Sequence, residues 1–107
     1  MKEITNLEEF KALIEQGKPV LLDFYADWCG PCQTLLPTLE TLSDELSEDV
    51  VIAKVNVDKN RPLSAHFRIR SVPSMFFIKD GEVRGHLQGL QTKSTLEQKL
   101  NKLVKAA

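Results

Sequence analysis
The chain has 107 residues, a formal net charge of −1, 42% hydrophobic and 27% charged residues, and two cysteines. That length suits one domain over residues 1–107 whose core needs no disulfide staples, and the near-neutral balance gives no electrostatic footprint for nucleic acid or an anionic membrane. No apolar run is long enough to cross a bilayer and the start, Met1-Lys2-Glu3-Ile4-Thr5, has no apolar leader, so the expectation is a monomeric cytoplasmic protein whose lone cysteine pair serves chemistry.

Thr5-Asn6-Leu7-Glu8 has the form of a capping box, and Leu7, Phe10, Leu13 and Ile14 recur at helical spacing up to a stop at Gly17. This predicts a first helix over Leu7 to Gln16. Val20 to Tyr25 is a continuous apolar run broken only by Asp23, as expected of a central parallel strand covered on both faces, and Val51 to Val57 reads as a second. Between them Pro31 opens a helix with Leu35, Leu39, Leu42 and Leu46 on one stripe, and Pro37 inside it removes an amide donor and predicts a kink. Arg61-Pro62 to about Phe67 suits a short helix. Ser74 to Lys79 and Glu82 to Gln88 are strands joined by Asp80-Gly81, a strong hairpin signal. Ser94 and Glu97 read as a capping box before a last helix with Leu96, Leu100, Leu103 and Val104 on its apolar stripe. The order α-β-α-β-α-β-β-α makes an α/β protein: a central mixed β-sheet flanked by helices on both faces.

The two cysteines lie in Trp28-Cys29-Gly30-Pro31-Cys32, where the buried strand hands over to the helix. A thiolate at the first turn of a helix meets unpaired amide donors and the positive end of the dipole, so Cys29 is the expected nucleophile. Pro31 suits a first turn, where its missing donor costs nothing, and Gly30 leaves room for a target backbone. Cys32, one turn deeper on the same face, is the expected resolving thiol. Metal binding is not expected, because zinc would need further ligands and His66 and His86 are isolated. Asp23 is an acid within an apolar strand. Either burial raises its pKa into a range useful for proton transfer, or it points to solvent at a strand end. Lys54 alternates away from Val51, Ala53, Val55 and Val57, and on pattern alone it could be a plain solvent-facing lysine. Pro73 could likewise be a tolerated first residue of a strand.

The run Asp23-Phe24-Tyr25-Ala26-Asp27-Trp28-Cys29-Gly30-Pro31-Cys32, followed by Pro37, Lys54, Asp58, Val72-Pro73, Gly81 and Gly89, resembles the thioredoxin family from about Ile4 to Val104. The resemblance implies the thioredoxin fold and a protein disulfide reductase that binds no cofactor itself. Its electrons would come from NADPH through a thioredoxin reductase, and its substrates would be disulfide-containing client proteins. It further implies that Asp23 lies behind Cys32 and takes its proton through a water, that Lys54 lies near this acid, and that the Val72-Pro73 bond is cis. Trp28, Gly30, Pro31, Pro73 and Gly89 would then form an apolar platform around Cys29, with the Val72 backbone free to pair with a client. Three residues depart from the common family pattern: Gln33 where lysine or arginine is frequent, Tyr25 where some members have tryptophan, and Leu90 where alanine is common. The rival from another class is a binding module that docks a partner enzyme without turnover.

Overall fold
The computed structural model describes residues 1–107. Five strands, β1 (Lys2–Glu3), β2 (Val20–Tyr25), β3 (Val51–Asn56), β4 (Ser74–Lys79) and β5 (Glu82–Gln88), alternate with four helices, α1 (Leu7–Glu15), α2 (Gly30–Glu45), α3 (Arg61–His66) and α4 (Lys93–Lys105). They form one sheet in the order β1-β3-β2-β4-β5, with β1, β3 and β2 parallel and β4 and β5 antiparallel to their neighbours.

All six residues of β2 are buried, because this strand sits at the centre of the sheet with helices over both faces. Alternation sends Val20, Leu22 and Phe24 into one core with Phe10, Leu13 and Leu63 of α1 and α3. Leu21 goes to the other side, where it meets Leu35, Leu39 and Leu42 of α2 and Leu96, Leu100 and Leu103 of α4. Each such leucine, fully buried, contributes roughly 1.5–3 kcal/mol. Asp23 and Tyr25 share the α2 side of the strand with Leu21, which directs the acid toward the helix that carries the cysteines.

Several boundaries differ from the sequence expectation. Asn6, not Thr5, caps α1: its side chain accepts from the Glu9 amide at 2.8 Å, while the Glu9 carboxylate reaches back to the Thr5 amide at 2.7 Å. The Glu9 carboxylate thus bonds the amide and hydroxyl of Thr5, the residue before the cap, rather than the amide of Asn6 itself. Thr92, not Ser94, caps α4 by accepting from the Thr95 amide at 3.1 Å. The helix of the cysteines runs unbroken through Pro37 and closes at Glu45, with Leu46 as its C-cap. β1 was not expected, since two residues carry no periodicity. Asp80 and Gly81 both have positive φ, 53° and 75°, as the two-residue hairpin between β4 and β5 requires.

Candidate active site
Cys29 is itself the N-cap of α2. Its Sγ accepts from the Cys32 amide at 3.2 Å, so the outer sulfur occupies the place that a serine or aspartate oxygen fills at other helix starts. Cys29 and Cys32 are joined as a disulfide with their Cα atoms 5.3 Å apart. Cys29 is 5% exposed and Cys32 fully buried, so an approaching client meets Cys29 first. Tyr25, Ala26, Val57 and Val72 pack around the pair.

The Cys29 sulfur lies 3.6 Å from the Val72 carbonyl oxygen, and the Val72–Pro73 bond is cis. Neither the amide nor the carbonyl of Val72 takes part in the backbone hydrogen bonds of the surrounding turns and loops. Gly89 is tied to this loop by donating its amide to the Pro73 carbonyl at 2.9 Å, and its φ of +82° accounts for glycine there. Gly30 differs: its φ is not positive and a Cβ at this position would meet nothing within 4 Å, so neither backbone nor packing demands glycine. Trp28 is 72% exposed, and its indole nitrogen donates to the Asp58 carboxylate at 2.8 Å, which holds the ring beside the cysteines. Pro31 is exposed in the first turn of α2. Pro37 stands apart from the rest, exposed farther along α2 with its carbonyl accepting from the Thr41 hydroxyl at 3.0 Å.

Asp23 is fully buried, and neither of its carboxyl oxygens has a hydrogen-bond partner within the protein. Burial pushes its pKa up from 3.8 to about 8, and the Lys54 ammonium opposes that rise. The solvent-facing reading of this acid is therefore excluded. Lys54 is the register partner of Asp23 across β2 and β3, half-buried, with its Nζ 3.9 Å from Glu3 Oε1 and 5.4 Å from the centre of the Tyr25 ring. The Tyr25 hydroxyl donates to the same Glu3 oxygen at 2.9 Å, and burial, with Glu3 second, pushes its pKa up to about 12.

The structure thus gathers Trp28, Cys29, Gly30, Pro31, Cys32, Val72, Pro73 and Gly89 at one end of the sheet, and sets Asp23 and Lys54 side by side on β2 and β3. Glu3 and Asp58 were assigned no role from the sequence. Asp58 could have been flagged by its place in the quoted family pattern, whereas Glu3 gains its neighbours only through the pairing of β1. The two histidines are engaged elsewhere: His86 Nε2 bonds the Ser74 hydroxyl at 2.6 Å and its ring stacks on Phe76, while His66 packs edge-on against Phe67.

A cysteine pair that closes within one helical turn, its outer sulfur already facing a helix amide, is equipped to exchange disulfides with another molecule. Fold and site together define a thiol–disulfide oxidoreductase. A family model described as thioredoxin matches residues 1–102. Among curated proteins, the thioredoxin of Rickettsia felis is 38% identical over 101 residues, covering 94% of this chain and 96% of the relative. That of Chlorobaculum thiosulfatiphilum is 39% identical over 99 residues, covering 92% of each. Among solved structures, a mutant thioredoxin from Halobacterium salinarum superposes with a TM-score of 0.92 at 34% identity, covering 99% of this chain and 92% of that one. The chain belongs to the thioredoxin family, and it is a protein disulfide reductase working through Cys29 and Cys32. No helix is long and apolar enough to cross a membrane.

Proposed function
We propose that residues 1–107 act as one monomeric domain that reduces disulfides of client proteins in the cytoplasm, with Cys29 attacking and Cys32 resolving. The observation that carries this order is the Cys32 amide donating to the Cys29 sulfur at the helix start, since the same donor stabilises a thiolate there. The Cys29 thiolate attacks one client sulfur, a mixed disulfide forms, and the other client sulfur leaves as a thiolate. Cys32 then gives up its proton to the Asp23 carboxylate by way of a water and attacks the Cys29 sulfur. The Cys29–Cys32 disulfide forms and the second client sulfur leaves. The client gains two electrons, and its thiolates take their protons from solvent and from Asp23. Lys54 tunes the proton affinity of Asp23, and Pro37 shapes the helix behind the pair.

Trp28, Val72, Pro73 and Gly89 form the client platform, and the Val72 backbone, which has no backbone partner, offers main-chain hydrogen bonds to an extended segment. Gly30 and Pro31 leave the approach to Cys29 open, in keeping with the empty space around Gly30. Reduction of the disulfide draws on NADPH through a thioredoxin reductase, so the chain needs no cofactor of its own. Limited alkylation of the reduced protein at neutral pH tests the order: Cys29 should be modified well before Cys32, and faster labelling of Cys32 would reverse the roles. Equilibration with glutathione tests the direction. The pair should stay largely oxidised in excess reduced glutathione, and ready reduction would make the protein an oxidant.

A further inference from the structure
The sequence between Lys59 and Arg70 carries four cations, Lys59, Arg61, Arg68 and Arg70, and no acid, in a chain whose acids otherwise outnumber its Lys and Arg residues. All four are exposed and none enters any ion pair of the structure. Two of them, Arg61 and Arg70, line an open groove of about 330 Å³ together with Trp28, Asp58 and Val72. Asp58 is the one acid in this lining, and its Oδ2 is already taken by the Trp28 indole. Past the Val72-Pro73 loop, Gly89 donates its amide to the Pro73 carbonyl and Leu90 is 53% exposed.

We propose that this groove selects client segments that carry acidic side chains beside the reactive disulfide, with Arg61 and Arg70 reading the charge. The inference rests on the reductase reading above and adds to it a class of substrate. A client strand paired along Val72 passes over the Cys29 sulfur, which lies 3.6 Å from the Val72 carbonyl oxygen. Arg61 and Arg70 line the same groove as Val72 and Trp28, so client side chains within a few positions of the cysteine come beside the arginines. Carboxylates there gain two unpaired guanidiniums able to bind them in bidentate fashion, while lysines at the same positions meet like charge.

The test uses the full reduced chain and three disulfide-linked peptides, identical except that the positions flanking the reactive cysteine hold Asp, Asn or Lys. At low ionic strength kcat/KM for the Asp peptide should exceed that for the Lys peptide by about tenfold, in line with exposed charge pairs worth a few-fold each. High ionic strength should shrink this ratio toward one in the unsubstituted protein. The double variant Arg61→Gln, Arg70→Gln should bring it within about twofold at low ionic strength. Equal rates on the Asp and Lys peptides, or a preference that survives both salt and the double substitution, would overturn the proposal. Failure to reduce even the Asn peptide would instead strike at the reductase reading on which it rests.

Discussion

Asp23 and Lys54 are register partners across the parallel ladder of β2 and β3, and Glu3 is the register partner of Lys54 across β1 and β3. One ammonium therefore stands between two carboxylates in a single row across the sheet. The inner carboxylate is buried without a hydrogen-bond partner, and the outer one is shared with the Tyr25 hydroxyl. Burial raises the proton affinity of Asp23, and the Lys54 ammonium of this row opposes that rise.

Removing either neighbour should move Asp23 in opposite directions. Lys54→Met takes away the opposing charge and should raise the Asp23 pKa above about 8. Glu3→Gln removes a negative neighbour and a competitor for the ammonium, and should lower it. Carboxyl-carbon NMR titration of the oxidised protein reads both shifts; a common direction for the two variants would refute the arrangement.

Burial of Asp23 also makes stability depend on pH. The folded chain holds this proton more tightly than the unfolded chain, so the acid costs nothing below its ordinary pKa of 3.8, where both states are protonated. The cost grows as pH rises through the interval from 3.8 to about 8 and is complete above it. Asp23→Asn should therefore increase the unfolding free energy on the order of 5 kcal/mol at pH 9 and change it little at pH 4, at the expense of a slower resolving step. Denaturant unfolding at the two pH values measures this, and an equal effect at both would mean that the carboxyl is not the cause.

Gln33 follows Cys32 in the first turns of α2, and its side-chain amide lies 3.5 Å from the Ala26 carbonyl oxygen. A lysine there would add positive charge beside the thiolate. Gln33→Lys should lower the Cys29 titration midpoint in the reduced protein, followed by thiolate absorbance. An unchanged or higher midpoint would count against it.

Arg68 has a φ of 55° just past the C-cap of α3, where glycine is the unstrained choice. Arg68→Gly should stabilise the fold by about 0.5–1 kcal/mol in denaturant unfolding, because relief of the left-handed strain outweighs the added freedom of the unfolded chain. A loss of stability would show that the arginine side chain makes a compensating contact.

Much of this architecture was legible in the residues. Val20 to Tyr25 read as a central strand, Asp80-Gly81 as a hairpin turn, and Pro31 marked the helix start at which Cys29 is the outer thiol. The caps were misplaced because Thr5 and Asn6 are both good capping residues, as are Thr92 and Ser94, and chain geometry rather than residue type chooses between neighbours. β1 was invisible because two residues have no period. With it went Glu3, whose meeting with Lys54 and Tyr25 depends on a strand pairing that no local pattern encodes. The groove beside Trp28 was hidden for the same reason: Arg61 and Arg70 are ordinary loop and helix cations until the fold sets both against Val72.

The proposed division of labour makes Cys29 the attacking thiol and Cys32 the resolving one. Cys32→Ser tests it most directly when the reduced variant meets a disulfide client and the products are resolved by mass spectrometry. A one-to-one mixed disulfide through Cys29 should accumulate with no release of fully reduced client. Continued turnover without Cys32, or an adduct that forms equally well in Cys29→Ser, would contradict the assignment.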